Sequence, residues 1–97
     1  MKYDLIKSTV FSKKAGKLLK ARPELINPLV ATLNLLSQDP FSTKLRTHTL
    51  KCKLAGSLAC SLTFEIRIIF RIIELDLNSE DKKAIFLETI GTHDEVY

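Results

Sequence analysis

The chain has 97 residues, 45% of them hydrophobic, with three glycines, which is enough for one compact domain (1–97) and too little for two. No apolar run approaches the roughly 20 residues that cross a bilayer. Charged and polar side chains also interrupt the N-terminal MKYDLIKSTVF, so a cytoplasmic protein without a signal peptide or membrane contact is expected. The formal net charge of +4 divides unevenly: residues 1–60 carry eleven Lys and Arg against three acids, residues 61–97 four against eight. A basic first half suits an acidic partner or a phosphate backbone, and equally an ordinary solvated lysine face.

In chain order, Lys2–Ile6 alternates weakly and precedes Ser8, an N-cap residue, so a short strand followed by a helix start is expected. Phe11, Ala15, Leu18 and Leu19 recur at helical spacing to about Lys20, with Lys13, Lys17 and Lys20 on a different face. Pro23 opens a second helical stretch, in which Ile26, Leu29, Val30, Leu33 and Leu36 form an apolar stripe that stops at Gln38-Asp39-Pro40. Pro28 lacks a backbone donor, so the helix either begins near it, with 24–27 as a preceding turn, or is kinked there. Phe41–Thr49 reads as an irregular connection, and Leu50–Leu54 as an edge strand or an extended arm leading to a turn at Ala55-Gly56-Ser57. Three strands follow, Leu58–Phe64, Ile66–Leu75 and Ala84–Ile90. The second is dense in β-branched residues, and a polar hairpin loop, Asn78–Lys83, precedes the third. The predicted architecture is α+β: two N-terminal helices packed on an antiparallel meander in the order β-α-α-β-β-β.

The two cysteines, Cys52 and Cys60, are expected to be reduced thiols. With His48 and His93 they fit no tight zinc spacing, and no metal or cofactor is expected. The C-terminal stretch AIFLETIGTHDEVY ends an apolar run in a glycine, a histidine, two acids and a tyrosine. RNA is cut without metal when a base takes the proton of a 2′-hydroxyl, that oxygen attacks the adjacent phosphorus, and an acid protonates the leaving 5′-oxygen. The reaction needs two groups titrating near neutrality and a cation for the growing phosphorane charge. Histidine titrates there unaided, and the chain has two, His48 and His93. In a meander the end of the last strand lies beside the start of its neighbour, which puts Arg67 within reach of a cleft with His93.

Three segments carry a family resemblance that covers nearly the whole chain: Leu45-Arg-Thr-His-Thr-Leu50, Cys60–Phe70, and Ile90-Gly-Thr-His-Asp-Glu-Val-Tyr97. They resemble the RelE/ParE superfamily of toxin-antitoxin toxins, most closely its YafQ-like branch. The resemblance implies a small α+β endoribonuclease, an mRNA interferase that cuts messenger RNA, commonly on the ribosome, and is silenced by a cognate acidic antitoxin. It would meet operator DNA only through that antitoxin. Carried over, His48 and His93 are the acid-base residues, Arg67 the phosphate clamp, Tyr97 a stacking or proton-transfer group, and Glu65 an acidic member of the site. Lys44, Arg46, Lys51 and Lys53 flank His48 and would track an RNA backbone without reading its sequence. The chain departs from the pattern in having Ser61 where a histidine follows the strand cysteine, no basic residue on Leu58–Leu62, and no aromatic in the turn before it. The other readings are a non-catalytic member of this fold that binds DNA gyrase, and a degenerate toxin that binds only its antitoxin. The paired histidines argue against the first.

Overall fold

The computed structural model describes residues 3–49, 56–74, 83–92 and 96. The elements are β1 (Tyr3–Lys7), α1 (Thr9–Ala21), α2 (Ile26–Gln38), β2 (His48–Thr49), β3 (Leu58–Ser61), β4 (Ile66–Glu74) and β5 (Lys83–Thr92). Single turns of 3₁₀ helix, Pro23–Leu25 and Thr43–Leu45, precede α2 and β2. The five strands form one sheet in the order β1-β5-β4-β3-β2.

The sheet is mixed: the expected antiparallel meander is present as β3-β4-β5, and the first correction is that the sheet as a whole is not purely antiparallel. β1 runs parallel to β5, from Tyr3 opposite Lys83 to Lys7 opposite Leu87, and only the remaining pairs are antiparallel. Two helices lie between β1 and the rest of the sheet in sequence, a connection long enough to return the chain for a parallel pairing. A second correction concerns Phe41–Thr49, which holds a 3₁₀ turn and β2 instead of irregular chain. Leu45 anchors that turn in the core, at 2% exposure. A third is that β3 stops at Ser61 and the chain turns through 62–65, so Thr63 and Phe64 are not strand residues. Leu50–Leu54 and most of the Asn78–Lys83 loop lie outside the described residues.

Both helices cover one face of the sheet, α1 against β5 and α2 against β1. Phe11 and Ala15 of α1, with Leu29 and Leu36 of α2, meet Cys60, Ile66, Ile68, Phe70, Ile85, Leu87 and Ile90 in one apolar core. Pro28 falls in the first turn of α2, where the missing N–H would have had no helical acceptor, so the helix needs no kink there. On β4 the core residues Ile66, Ile68 and Phe70 alternate with Arg67, Ile69 and Arg71, which therefore face away from the helices.

β5 departs from regular alternation. Its register with β4 passes from Thr89 opposite Ile69 to Leu87 opposite Phe70, leaving Glu88 as an extra residue in a β-bulge. The extra residue moves the core positions from Ile85 and Leu87 to Ile90, so odd positions point inward before it and an even one after it. Ser8 fastens α1 to this bulge. Its hydroxyl accepts from the Phe11 N–H at 2.9 Å, capping the helix, and donates to the Glu88 carbonyl at 2.8 Å, while its own N–H reaches the Leu87 carbonyl at 3.0 Å. Replacing Ser8 by alanine removes both hydroxyl bonds, and urea unfolding should show a loss of about 1–2 kcal/mol, the upper part of the range for a lost cap. Ser8→Thr, which keeps the hydroxyl, should recover most of it.

Candidate active site

The face of the sheet turned away from the helices carries the polar residues of interest, and the strand register gives their relative positions. His48 on β2 stands opposite Ala59 on β3, and Ala59 opposite Ile69 on β4, which faces Thr89 on β5. Arg67, two residues along β4, lies between Ser61 of β3 and Gly91 of β5. Adjacent strands are about 4.8 Å apart and residues along a strand about 3.3 Å, so the His48 and Arg67 backbones lie roughly 12 Å apart. Their side chains can approach one substrate from two sides without touching each other.

Thr43–Leu45 and the residue after it prepare the His48 position. Arg46 adopts the left-handed conformation at φ 52° and ψ 41°, at a cost of roughly 1–2 kcal/mol for a residue with a Cβ, and is the only non-glycine residue with positive φ among those described. The His48 ring nitrogen Nδ1 lies 3.1 Å from the Arg46 carbonyl oxygen. A carbonyl only accepts, so this contact is a hydrogen bond when Nδ1 carries the proton, which makes Nε2 the basic nitrogen of the neutral ring. His48 is exposed, as are Lys44 and Arg46 beside it.

Arg67 grips the turn between β3 and β4. Its Nη1 donates to the carbonyl oxygens of Thr63 at 2.9 Å and Phe64 at 2.8 Å. Among the described residues no carboxylate lies within ion-pair distance of it. Glu65, exposed in the same turn, forms no ion pair with Arg67 among the described contacts. Thr92 stands opposite Ile66 and Gly91 opposite Arg67, so the end of β5 adjoins the start of β4 as the meander argument required. His93, Tyr97, Lys51 and Lys53 lie outside the described residues.

Sequence reasoning missed a second polar cluster on this face. Arg71 Nε pairs with Glu88 Oε1, Arg71 Nη2 donates to Ser57 Oγ at 3.2 Å, and the Ser57 hydroxyl lies 3.1 Å from both carboxylate oxygens. The bulge at Glu88 carries its side chain to Arg71. No spacing rule announces a bulge, although an acid inside an otherwise apolar strand was a signal that a cation had to face it. Among the described residues Arg71 is thus paired with a carboxylate and Arg67 is not.

Cys60 takes no part in the chemistry of this face. Its side chain points into the core opposite Ile68, and burial pushes its thiol up to about 12, outweighing the opposing pull of the Arg67 charge and a backbone hydrogen bond at Ile68. It stays a neutral thiol at any physiological pH.

Two helices on one face of a five-stranded mixed sheet make up a fold that this chain shares with solved structures of bacterial toxins. Over 93% of its length the chain is similar in structure to the YoeB/ParE toxin from Agrobacterium tumefaciens, with 98% of that chain covered, a TM-score of 0.77 and 14% identity. It is similar to YafQ from E. coli strain BL21(DE3) over 98% of both chains, with a TM-score of 0.74 and 21% identity. The toxin of the E. coli DinJ-YafQ toxin-antitoxin complex gives a TM-score of 0.73 at 21% identity over 100% of this chain and 99% of that one. No family model matches the sequence, and no curated protein sequence matches it.

Two measurements check this geometry. Arg71→Ala should cost about 1–2 kcal/mol in urea unfolding, less than a fully buried pair because the Arg71 side chain is 41% exposed. Arg71→Ala combined with Glu88→Gln should cost less than the two changes summed, the coupling expected of residues in one cluster. For Cys60 the folded thiol titrates near 12 against a reference value of 9.0. Below pH 9 the group is neutral in both states, and as pH rises from 9 toward 12 only the unfolded chain ionises, so stability falls. Wild type should therefore lose stability relative to Cys60→Ala across that window.

Proposed function

We propose that this protein is the toxin of a type II toxin-antitoxin pair and a metal-independent endoribonuclease acting on messenger RNA. The observation that carries the reading is the fold likeness to YafQ over nearly the full length of both chains, at matching size. Arg67 beside the end of β5, which has no carboxylate partner among the described residues, adds to it.

In the proposed reaction one of His48 and His93 takes the proton from a ribose 2′-hydroxyl, whose oxygen forms a bond to the adjacent phosphorus. The bond from phosphorus to the 5′-oxygen breaks, and the other histidine supplies that oxygen with its proton, leaving a 2′,3′-cyclic phosphate and a 5′-hydroxyl. Arg67 holds the phosphate and stabilises the charge that gathers on its oxygens, using the donors not engaged with the turn. Tyr97 stacks on a base or assists proton transfer, and Glu65 lies at the rim. Lys44, Arg46, Lys51 and Lys53 hold the RNA backbone on the His48 side. The Nδ1 contact with Arg46 suits His48 to act through Nε2.

The partner is a cognate acidic antitoxin, as DinJ is the partner of YafQ in the complex to which this chain is similar. An extended or helical segment laid over the basic face would close the site, and operator DNA would be reached only through that segment. The ribosome presents the messenger RNA.

The experiment is cleavage of a messenger RNA with and without programmed ribosomes, in EDTA, by wild type, His48→Ala and His93→Ala. Cleavage that survives EDTA and falls by about 10²- to 10⁴-fold in either variant is the expected result. A folded protein that binds its antitoxin and cuts RNA under neither condition would sink the enzymatic reading and favour the gyrase-binding or degenerate one.

A further inference from the structure

Phe64 is 90% exposed, whereas the other exposed large hydrophobics, Val10, Ile26, Val30 and Phe41, keep roughly 40–55% of their surface covered, at 51%, 46%, 49% and 61% exposure. Single apolar residues on a surface are ordinary. This one differs because the backbone beneath it is held from several directions. The Leu62 and Thr63 N–H groups donate to the Ile66 carbonyl at 2.9 and 3.4 Å, and the Ile66 N–H donates to the Thr63 hydroxyl at 3.2 Å. Arg67 Nη1 takes the Thr63 and Phe64 carbonyls. The ring thus projects into solvent from a braced turn whose backbone has little freedom to lose on binding.

We propose that Phe64 is a stacking platform for a nucleobase next to the phosphate held by Arg67. This rests on the ribonuclease reading and adds a residue that neither the sequence motifs nor the acid-base chemistry identified. The Phe64 carbonyl is 2.8 Å from the guanidinium, so a phosphate on the outer side of Arg67 has its adjoining base within reach of the ring. Nε and Nη2 of Arg67 have no hydrogen-bond partner among the described residues, and these are the donors a phosphate would use. A cation and an exposed π-face one nucleotide apart make up the elementary single-strand binding unit, in which the cation tracks the backbone and the ring takes any base. The turn also adjoins Thr92, at the end of the sheet from which the sequence leads to His93.

The test compares wild type with Phe64→Ala, Phe64→Leu and Phe64→Trp on a messenger RNA oligonucleotide, with far-UV circular dichroism to verify folding. F64A is expected to raise KM about 10- to 100-fold and to change kcat less than about 3-fold. F64L should be as poor as F64A and F64W close to wild type, since a platform requires an aromatic face and not merely apolar bulk. The chain has no tryptophan. The F64W indole fluorescence should therefore be quenched by the 2′-O-methylated oligonucleotide, which binds without being cut. If wild type cleaves and F64A matches it in KM, or F64L does, the platform is overturned and the ribonuclease reading stands. If wild type does not cleave, that reading falls and the quench alone decides, its absence overturning the platform. Unchanged RNA KM with weakened antitoxin binding in F64A would make the ring a protein contact and overturn the proposal.

Discussion

Glu88 is the residue by which β5 exceeds β4, and three parts of the molecule are held through it. Its carbonyl takes the Ser8 hydroxyl, so the first helix starts where the bulge is. Its carboxylate takes Arg71 and Ser57, tying β5 to β4 and to the residue before β3. Its presence reverses the phase of the strand, so that Ile90 joins the core and Gly91 comes to stand opposite Arg67. A strand without the extra residue would turn Ile90 toward solvent and present the other set of side chains at its end.

The elements built on local pattern were legible in the sequence. The α1 stripe of Phe11, Ala15 and Leu18, the Ser8 cap, the stop at Gln38-Asp39-Pro40 and the β-branched run of β4 each follow from spacing that one segment contains by itself. What was not legible depends on partners distant in sequence. The parallel pairing of β1 with β5 is a relation between residues about 80 apart, and nothing in Tyr3–Lys7 indicates its direction. β2 consists of two exposed residues whose strand partner among the described residues is β3. The run Leu58–Phe64 looked continuous because apolar residues persist through it, yet hydrogen bonds to Ile66 close a turn at Leu62.

The candidate site divides the same way. His48 was singled out as one of two histidines and Arg67 by its place near the end of the last strand, and the roles expected of both came from the family resemblance. Arg71 stands in the same strand as Arg67, but its pairing with Glu88 depends on the bulge, so only the structure shows which of the two arginines has a carboxylate partner among the described residues. Arg67 has a double allegiance: one terminal nitrogen braces the turn while the rest of the guanidinium faces outward. The brace fixes the orientation of the group before any anion arrives, which lowers the ordering cost of using it.

The position of β5 also sets a schedule. It lies between β1 and β4 in the sheet, yet it is translated after every other strand, and Ser8 waits 80 residues for the carbonyl it binds. Until Lys83–Thr92 has left the ribosome, β1 has no neighbouring strand, α1 lacks the surface it packs on, and the sheet is at most the small antiparallel piece β2-β3-β4. A nascent chain therefore cannot assemble the Arg67–Gly91 corner while its own message is still being read through that segment. Topology alone thus delays completion of the sheet until synthesis has passed β5.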